Sequence, residues 1–167
     1  DHGELFGEHG LYEHTSNLYH KLLQVPLLVR LPGRVPEGRV VEQVVSLRDL
    51  AATITDVALP NATEPRGRGA VAGTSLASLW REGPAASPSP SLALVEQGVR
   101  SDSTLPFTKG DMVSLHDSTW HYIRNFGTGR EELYRFREDP FEQVDHSTAA
   151  DDSVRQRLRL AVDSLLR

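Results

Sequence analysis

The residue types that can do chemistry crowd the front of the chain: Asp1-His2-Gly3-Glu4, then Gly7-Glu8-His9-Gly10, then His14. Four of the seven histidines fall within the first 20 of 167 residues. A carboxylate oxygen and an imidazole nitrogen side by side, as in Asp1 and His2, can both reach one divalent cation at a strand end. The glycines between these groups let backbone come close to a ligand. Read as a bare tripeptide, Asp-His-Gly is more often only a turn. His9 can line a pocket or hydrogen-bond its own loop, and the second is the commoner use of a histidine. Glu4 and Glu8 could tune such a site, but read rather as solvated loop carboxylates. Arg66 and Arg68 read as loop charges that could also grip an anion.

Such groups need elements to hold them. Residues 1–16 read as a loop, and 17–24 as a short helix with Leu18 and Leu22 inward, Ser16 as N-cap and His20 on its exposed side. Pro26 ends that helix. The apolar run 27–31, closed by Pro32-Gly33, reads as a buried strand, and 40–45 as a second. Ser46 caps a helix carrying Leu47, Leu50, Ile54 and Val57 at helical spacing, and Asp49 pairs with it in a capping box. Residues 59–74 form a long loop, after which Thr74 or Ser75 opens a short helix to Trp80. Residues 83–91 are low-complexity, and 91–96 are strand-like. Beyond 110 the texture changes: 111–116, 120–126 and 131–136 read as strands of an antiparallel meander. Within it His116, His121, Trp120, Tyr122 and Tyr134 read as structural. Residues 150–166 form an amphipathic helix with Val154, Leu158, Ala161, Val162 and Leu165 inward.

The predicted class is α/β: a partial parallel-type sheet with flanking helices, plus a small C-terminal antiparallel sheet and terminal helix. The domain boundary falls between 1–109 and 110–167. Two or three buried strands leave edges and faces open, so further sequence is expected upstream of Asp1. Hydrophobic content is 38 % and charged content 25 %, which suits a globular chain. A net charge of −5 without a basic stripe argues against nucleic acid. No apolar run approaches the ~18 residues of a membrane span. The chain has no cysteine, which excludes disulfides, thiolate metal sites and cysteine nucleophiles within it.

Taken in order, these motifs resemble the sulfatase family of the alkaline phosphatase superfamily. The string runs from Asp1-His2-Gly3-Glu4 through Gly7-Glu8-His9-Gly10 and His14 to Leu18-Tyr19 and Val25-Pro26-Leu27-Leu28-Val29-Arg30-Leu31-Pro32-Gly33. It continues in Val45-Ser46-Leu47-Arg48-Asp49-Leu50-Ala51-Ala52-Thr53, in Gly73-Thr74-Ser75-Leu76, and in Trp120-His121-Tyr122-Ile123-Arg124. Glu132-Leu133-Tyr134-Arg135-Phe136-Arg137-Glu138-Asp139-Pro140-Phe141-Glu142 is similar to the signature of sulfatase C-terminal subdomains. In this light residues 1–109 resemble the C-terminal part of the sulfatase catalytic domain.

The resemblance implies that Asp1 and His2 hold a divalent metal, usually calcium. It implies that His14 stands where a substrate-contacting Lys is usual, as a catalytic and substrate-binding group, with His9 as a second substrate-binding candidate. A His at that position is a weaker point charge than Lys at neutral pH. The family's formylglycine nucleophile arises within a Cys/Ser-x-Pro-x-Arg motif, which this sequence lacks, so it is expected upstream. The implied substrate is a small-molecule or glycan sulfate ester, and the implied mechanism is metal-assisted in-line attack. Without that upstream nucleophile the chain is expected to be inactive alone. Two alternatives stay open. One is a phosphodiesterase, phosphonate hydrolase or phosphoethanolamine transferase of the same superfamily. The other is a non-catalytic binding module descended from such an enzyme. Oligomeric state is left open, export from the cytoplasm is a family expectation only, and Asn61-Ala62-Thr63 is a formal glycosylation acceptor.

Overall fold

The computed structural model describes residues 1–14, 16–59, 73–81, 91–98, 105–148 and 151–167. Arg66, Arg68, the Asn61-Ala62-Thr63 triplet and most of the 59–74 and 83–91 segments lie outside these residues. The chain forms two compact units, residues 1–26 with 90–167, and residues 27–89.

The first unit is built on a four-stranded antiparallel sheet in the order β3-β4-β5-β6. Its strands are β3 (Ser91–Val95), β4 (Met112–His116), β5 (His121–Asn125) and β6 (Glu131–Tyr134). Asp117 makes the tight β4–β5 turn, its Oδ1 accepting from the N–H groups of Thr119 and Trp120 at 2.8 and 2.7 Å. Alternation then splits the sheet into two faces. On one, Val113, Leu115, Tyr122 and Leu133 pack with Leu158 and Val162 of the terminal helix α3 (Asp152–Leu165). On the other, Met112, Ile123 and Tyr134 pack with Leu18, Tyr19 and Phe107. That second face also carries His116, His121 and Glu132, all buried. The terminal helix is clamped further by Arg159, whose guanidinium forks onto Glu131.

The N-terminal stretch lies within this same unit. It holds a short hairpin, β1 (Leu5–Phe6) against β2 (Tyr12–Glu13), and a one-turn helix α1 (His20–Leu23). The helix starts later than the sequence predicts. Asn17 Oδ1 accepts from the Tyr19 N–H at 3.0 Å, so a side chain past Ser16 shapes the approach. His20, expected on the exposed side, is buried.

In the second unit Ser46 accepts from the Arg48 N–H at 3.4 Å and opens a turn that runs into α2 (Leu50–Ala58). Asp49 does not close a capping box; its Oδ1 accepts from the Thr74 N–H at 2.8 Å. Thr53 Oγ1 accepts from the Leu76 N–H at 2.9 Å and donates to the Asp49 carbonyl at 2.7 Å. Ser75 caps the 3-10 turn Leu76–Leu79 as expected, its Oγ accepting from the Ala77 N–H at 3.2 Å.

The mixed α/β class, the C-terminal antiparallel sheet and the terminal helix are as the sequence predicts. The stretches 27–31 and 40–45 are not: among the described residues they form no strand and no parallel pair. Leu28 is 89 % and Val40 78 % exposed. A strand exists only with a ladder partner, and these apolar runs find none in the described chain. Residues 91–95, by contrast, pair with β4 and widen the predicted three-stranded meander to four.

Candidate metal centre

The hairpin explains how the chemistry of the N-terminal segment comes together. Leu5 faces Glu13 and Phe6 faces Tyr12 across the β1–β2 pair. One rung further out, the same antiparallel register places Glu4 opposite His14. The turn between them is Gly7-Glu8-His9-Gly10, with Gly7 at φ 120° and Gly10 at φ 71°. Only glycine takes such angles at no steric cost. The turn is pinned by the Phe6 N–H donating to Glu8 Oε2 at 2.6 Å and by the Gly7 N–H donating to the Leu11 carbonyl at 2.9 Å. Accepting backbone N–H bonds holds the Glu8 carboxyl below the usual carboxylate range.

His14 Nδ1 lies 3.3 Å from Glu4 Oε2. The His2 and His14 rings lie 4.9 Å apart between centroids. His2, Glu4 and His14 thus converge, each offering a ligand atom within 4.8 Å of the others. Among the described residues this is the one such group of histidines and carboxylates. Asp1 stands beside it, with Oδ1 4.0 Å from His2 Nε2 and a side chain 95 % exposed.

The donor set fits a divalent cation on two counts. Glu4 Oε1 is buried and has no hydrogen-bond partner among the described residues, an expensive state for a carboxylate oxygen unless something else meets it. His2 Nδ1 lies 2.8 Å from the Gly3 carbonyl, which can only accept, so the ring carries its proton there. That tautomer leaves Nε2 with a lone pair for a metal, the backbone-oriented arrangement usual for ligating histidines. The carboxylate oxygens suit calcium or manganese, whereas the imidazoles suit zinc, copper, iron or nickel.

His9 stays out of this trio. It stacks flat on Tyr19, centroids 3.6 Å apart and planes 2° off parallel. Its backbone is left-handed, at φ 54° and ψ 20°. Tyr19 is in turn anchored, its hydroxyl donating to Glu132 Oε1 at 3.2 Å. The same oxygen accepts from Tyr134 at 2.9 Å and from Arg130 at 2.7 Å. Burial pushes the Tyr19 and Tyr134 phenols well above their ordinary range, so both donate.

Of the candidates named from sequence, His2 and His14 meet, Asp1 flanks them, and His9 sits apart on its tyrosine platform. Glu4, read from sequence as a solvated loop carboxylate, is the residue whose place in the trio was missed. A signal existed: Glu4 and His14 lie equally far from His9, at the centre of the glycine-flanked turn.

Comparison with known proteins agrees with this architecture. Residues 7–85 match the family model described as N-sulphoglucosamine sulphohydrolase, C-terminal. No curated protein sequence matches the chain. Among solved structures, it resembles a 2-O GAG sulfatase with TM-score 0.72 and 18 % identity, over 99 % of this chain and 34 % of that one. It resembles a protein solved in complex with its substrate D-glucosamine-2-N,6-O-disulfate with TM-score 0.70 and 21 % identity, over 98 % of this chain and 32 % of that one. A phosphonate monoester hydrolase of Agrobacterium radiobacter is more distant, with TM-score 0.51 and 17 % identity over 70 % of this chain and 24 % of that one. The chain therefore spans about a third of the length of the first two. At these identities the structural likeness speaks for the fold, and the family model adds the sequence motifs. The match over residues 7–85 and the shared fold together liken the chain to the C-terminal portion of sulfatases.

Proposed function

We propose that this chain supplies the metal-holding and leaving-group side of a site that hydrolyses sulfate esters, with a sulfated sugar as the substrate class. The convergence of His2, Glu4 and His14 carries the reading. The sulfated glucosamine substrate of one structural neighbour supports it.

In this reading His2 Nε2 and Glu4 Oε1 hold a divalent cation, and Asp1 contributes a further carboxylate oxygen. Such an ion, when bound there, would supply positive charge against the sulfate oxygens. Glu4 Oε2 holds the His14 ring by Nδ1 and so orients it. His14 then serves as hydrogen-bond donor to the sulfate or as general acid at the departing sugar oxygen. His9 on its Tyr19 platform presents a flat, polar-edged surface to the rest of the substrate. The attacking group comes from outside these residues: the chain has no cysteine and no Cys/Ser-x-Pro-x-Arg motif.

The test uses the full-length protein with 4-nitrophenyl sulfate, N,6-O-disulfated glucosamine and a phosphonate monoester. Sulfate release that a chelator abolishes and a divalent cation restores is the expected result. His14→Ala should lower kcat by about 10²–10⁴-fold, the usual contribution of a positioned proton donor. Cleavage of the phosphonate ester with no sulfate released from either sulfate ester would overturn the assignment.

A further inference from the structure

The Asp139-Pro140-Phe141-Glu142 turn plays no part in the chemistry above, yet it ends in the most buried acid among the described residues. Glu142 is 2 % exposed and sits at φ 55°. One carboxylate oxygen, Oε1, hydrogen-bonds His121 Nδ1. The other, Oε2, accepts from the backbone N–H of His20 at 2.8 Å. His121 faces His116 across β4 and β5, with the rings stacked 3.6 Å apart. His20 closes the cluster, its Nδ1 3.1 Å from His116 Nε2. Lys21 caps the Phe141 ring at 4.3 Å, a second tie between this turn and α1.

A buried ionisable cluster of this kind is not a cheap way to gain stability, since apolar residues of similar volume often serve as well or better. What it gives is a fixed place for α1. Gly3 meets the carbonyl end of α1. The Gly3 N–H donates to the Leu22 carbonyl at 2.7 Å. The Lys21 carbonyl packs so closely that a Cβ on Gly3 would lie 1.9 Å from it. His2 and Glu4 are the residues on either side of that glycine.

We propose that Glu142 is a positioning residue for the candidate metal centre: through the His20 N–H it fixes α1, and through α1 it fixes the Gly3 backbone between His2 and Glu4. The ligand-holding half of this statement rests on the function proposed above. The anchoring half does not.

The experiment compares Glu142→Gln and Glu142→Leu with wild type in the full-length protein, with two readouts. Gln keeps an acceptor for the His20 N–H and a donor for His121 Nδ1, whereas Leu keeps only the volume. Native-state hydrogen exchange is read at the Gly3 amide and, as an internal control for global stability, at amides of β4 and β5. Binding of Ca²⁺ and of Mn²⁺ alone is read by calorimetry. The expected result is faster Gly3 exchange in Glu142→Leu, tenfold or more beyond any change in the sheet, with Glu142→Gln within threefold of wild type. Metal affinity should fall by about 10–100-fold in Glu142→Leu, as for other residues that orient metal ligands, and be largely retained in Glu142→Gln. Gly3 exchange that tracks the sheet amides in Glu142→Leu would overturn the anchoring. A loosened Gly3 with unchanged metal affinity would overturn the link to the centre. If wild type binds neither ion, the metal reading itself falls, and Gly3 exchange alone decides whether Glu142 anchors α1.

Discussion

Replacing Gly3 by alanine is the smallest change that should disturb the centre from behind. A Cβ at this position would lie 1.9 Å from the Lys21 carbonyl oxygen, 3.0 Å from its carbon and 3.3 Å from the Leu22 Cα. All three atoms are backbone, so no side chain can swing aside. Real Cβ contacts essentially never fall under 3.0 Å, so the strand entry and α1 must part by about 1 Å, a misplacement of the size that can cost ~10²-fold in function at a reactive centre. The 2.7 Å bond from the Gly3 N–H to the Leu22 carbonyl would stretch or break. Overpacking of this kind costs about 1–3 kcal/mol, and the lost hydrogen bond adds about 1 kcal/mol. Gly3→Ala should therefore lower the urea midpoint of unfolding and weaken Mn²⁺ binding by at least tenfold. Proton signals of the His2 and His14 rings, followed during the metal titration, give both positions at once. Wild-type stability together with wild-type ring shifts and affinity would show that α1 and Gly3 do not constrain the centre as argued.

Further outcomes follow from the same geometry. Burial lifts Glu142 to about 7; because its folded value lies above its unfolded one, it favours folding at low pH, and that contribution is lost as pH rises through about 7. Glu142→Gln cannot ionise, so its stability relative to wild type should rise by about 2–3 kcal/mol between pH 5 and pH 9 in urea unfolding; a difference that ignores pH refutes this. His9→Gly relieves about 1 kcal/mol of left-handed strain while losing a stack of similar worth, so the melting temperature should barely move while KM rises; an unchanged KM would remove His9 from the substrate surface. Thr53→Val leaves the Leu76 N–H without its acceptor and should destabilise the second unit by about 1–3 kcal/mol, read as faster exchange at the Leu76 amide.

What could be read from the sequence was local. Strong alternation and tight turns marked β4, β5 and β6, and the spacing of Val154, Leu158, Ala161 and Val162 marked α3. Ser46 and Ser75 announced their turns because capping acts over two or three residues. The failures lie where a residue's partner is far along the chain. His20 looks exposed on a helical wheel, yet it is buried by His116, 96 residues away, and by Glu142, 122 away. Glu4 looks like a loop carboxylate until the Leu5–Glu13 register is known. The stretches 27–31 and 40–45 have the composition of buried strands, but composition supplies no ladder partner. Family order, in turn, pointed to Asp1 and His2; the structure adds the neighbours that orient His2 and His14.

The central claim is that His2 and Glu4 hold one divalent cation with His14 facing it. Crystals of the full-length protein soaked in Mn²⁺ and probed by anomalous diffraction test it directly. The account predicts a single strong peak in bonding contact with His2 Nε2 and Glu4 Oε1, lost in Glu4→Gln. A peak elsewhere, or none while His2 and Glu4 keep the arrangement described, would contradict it.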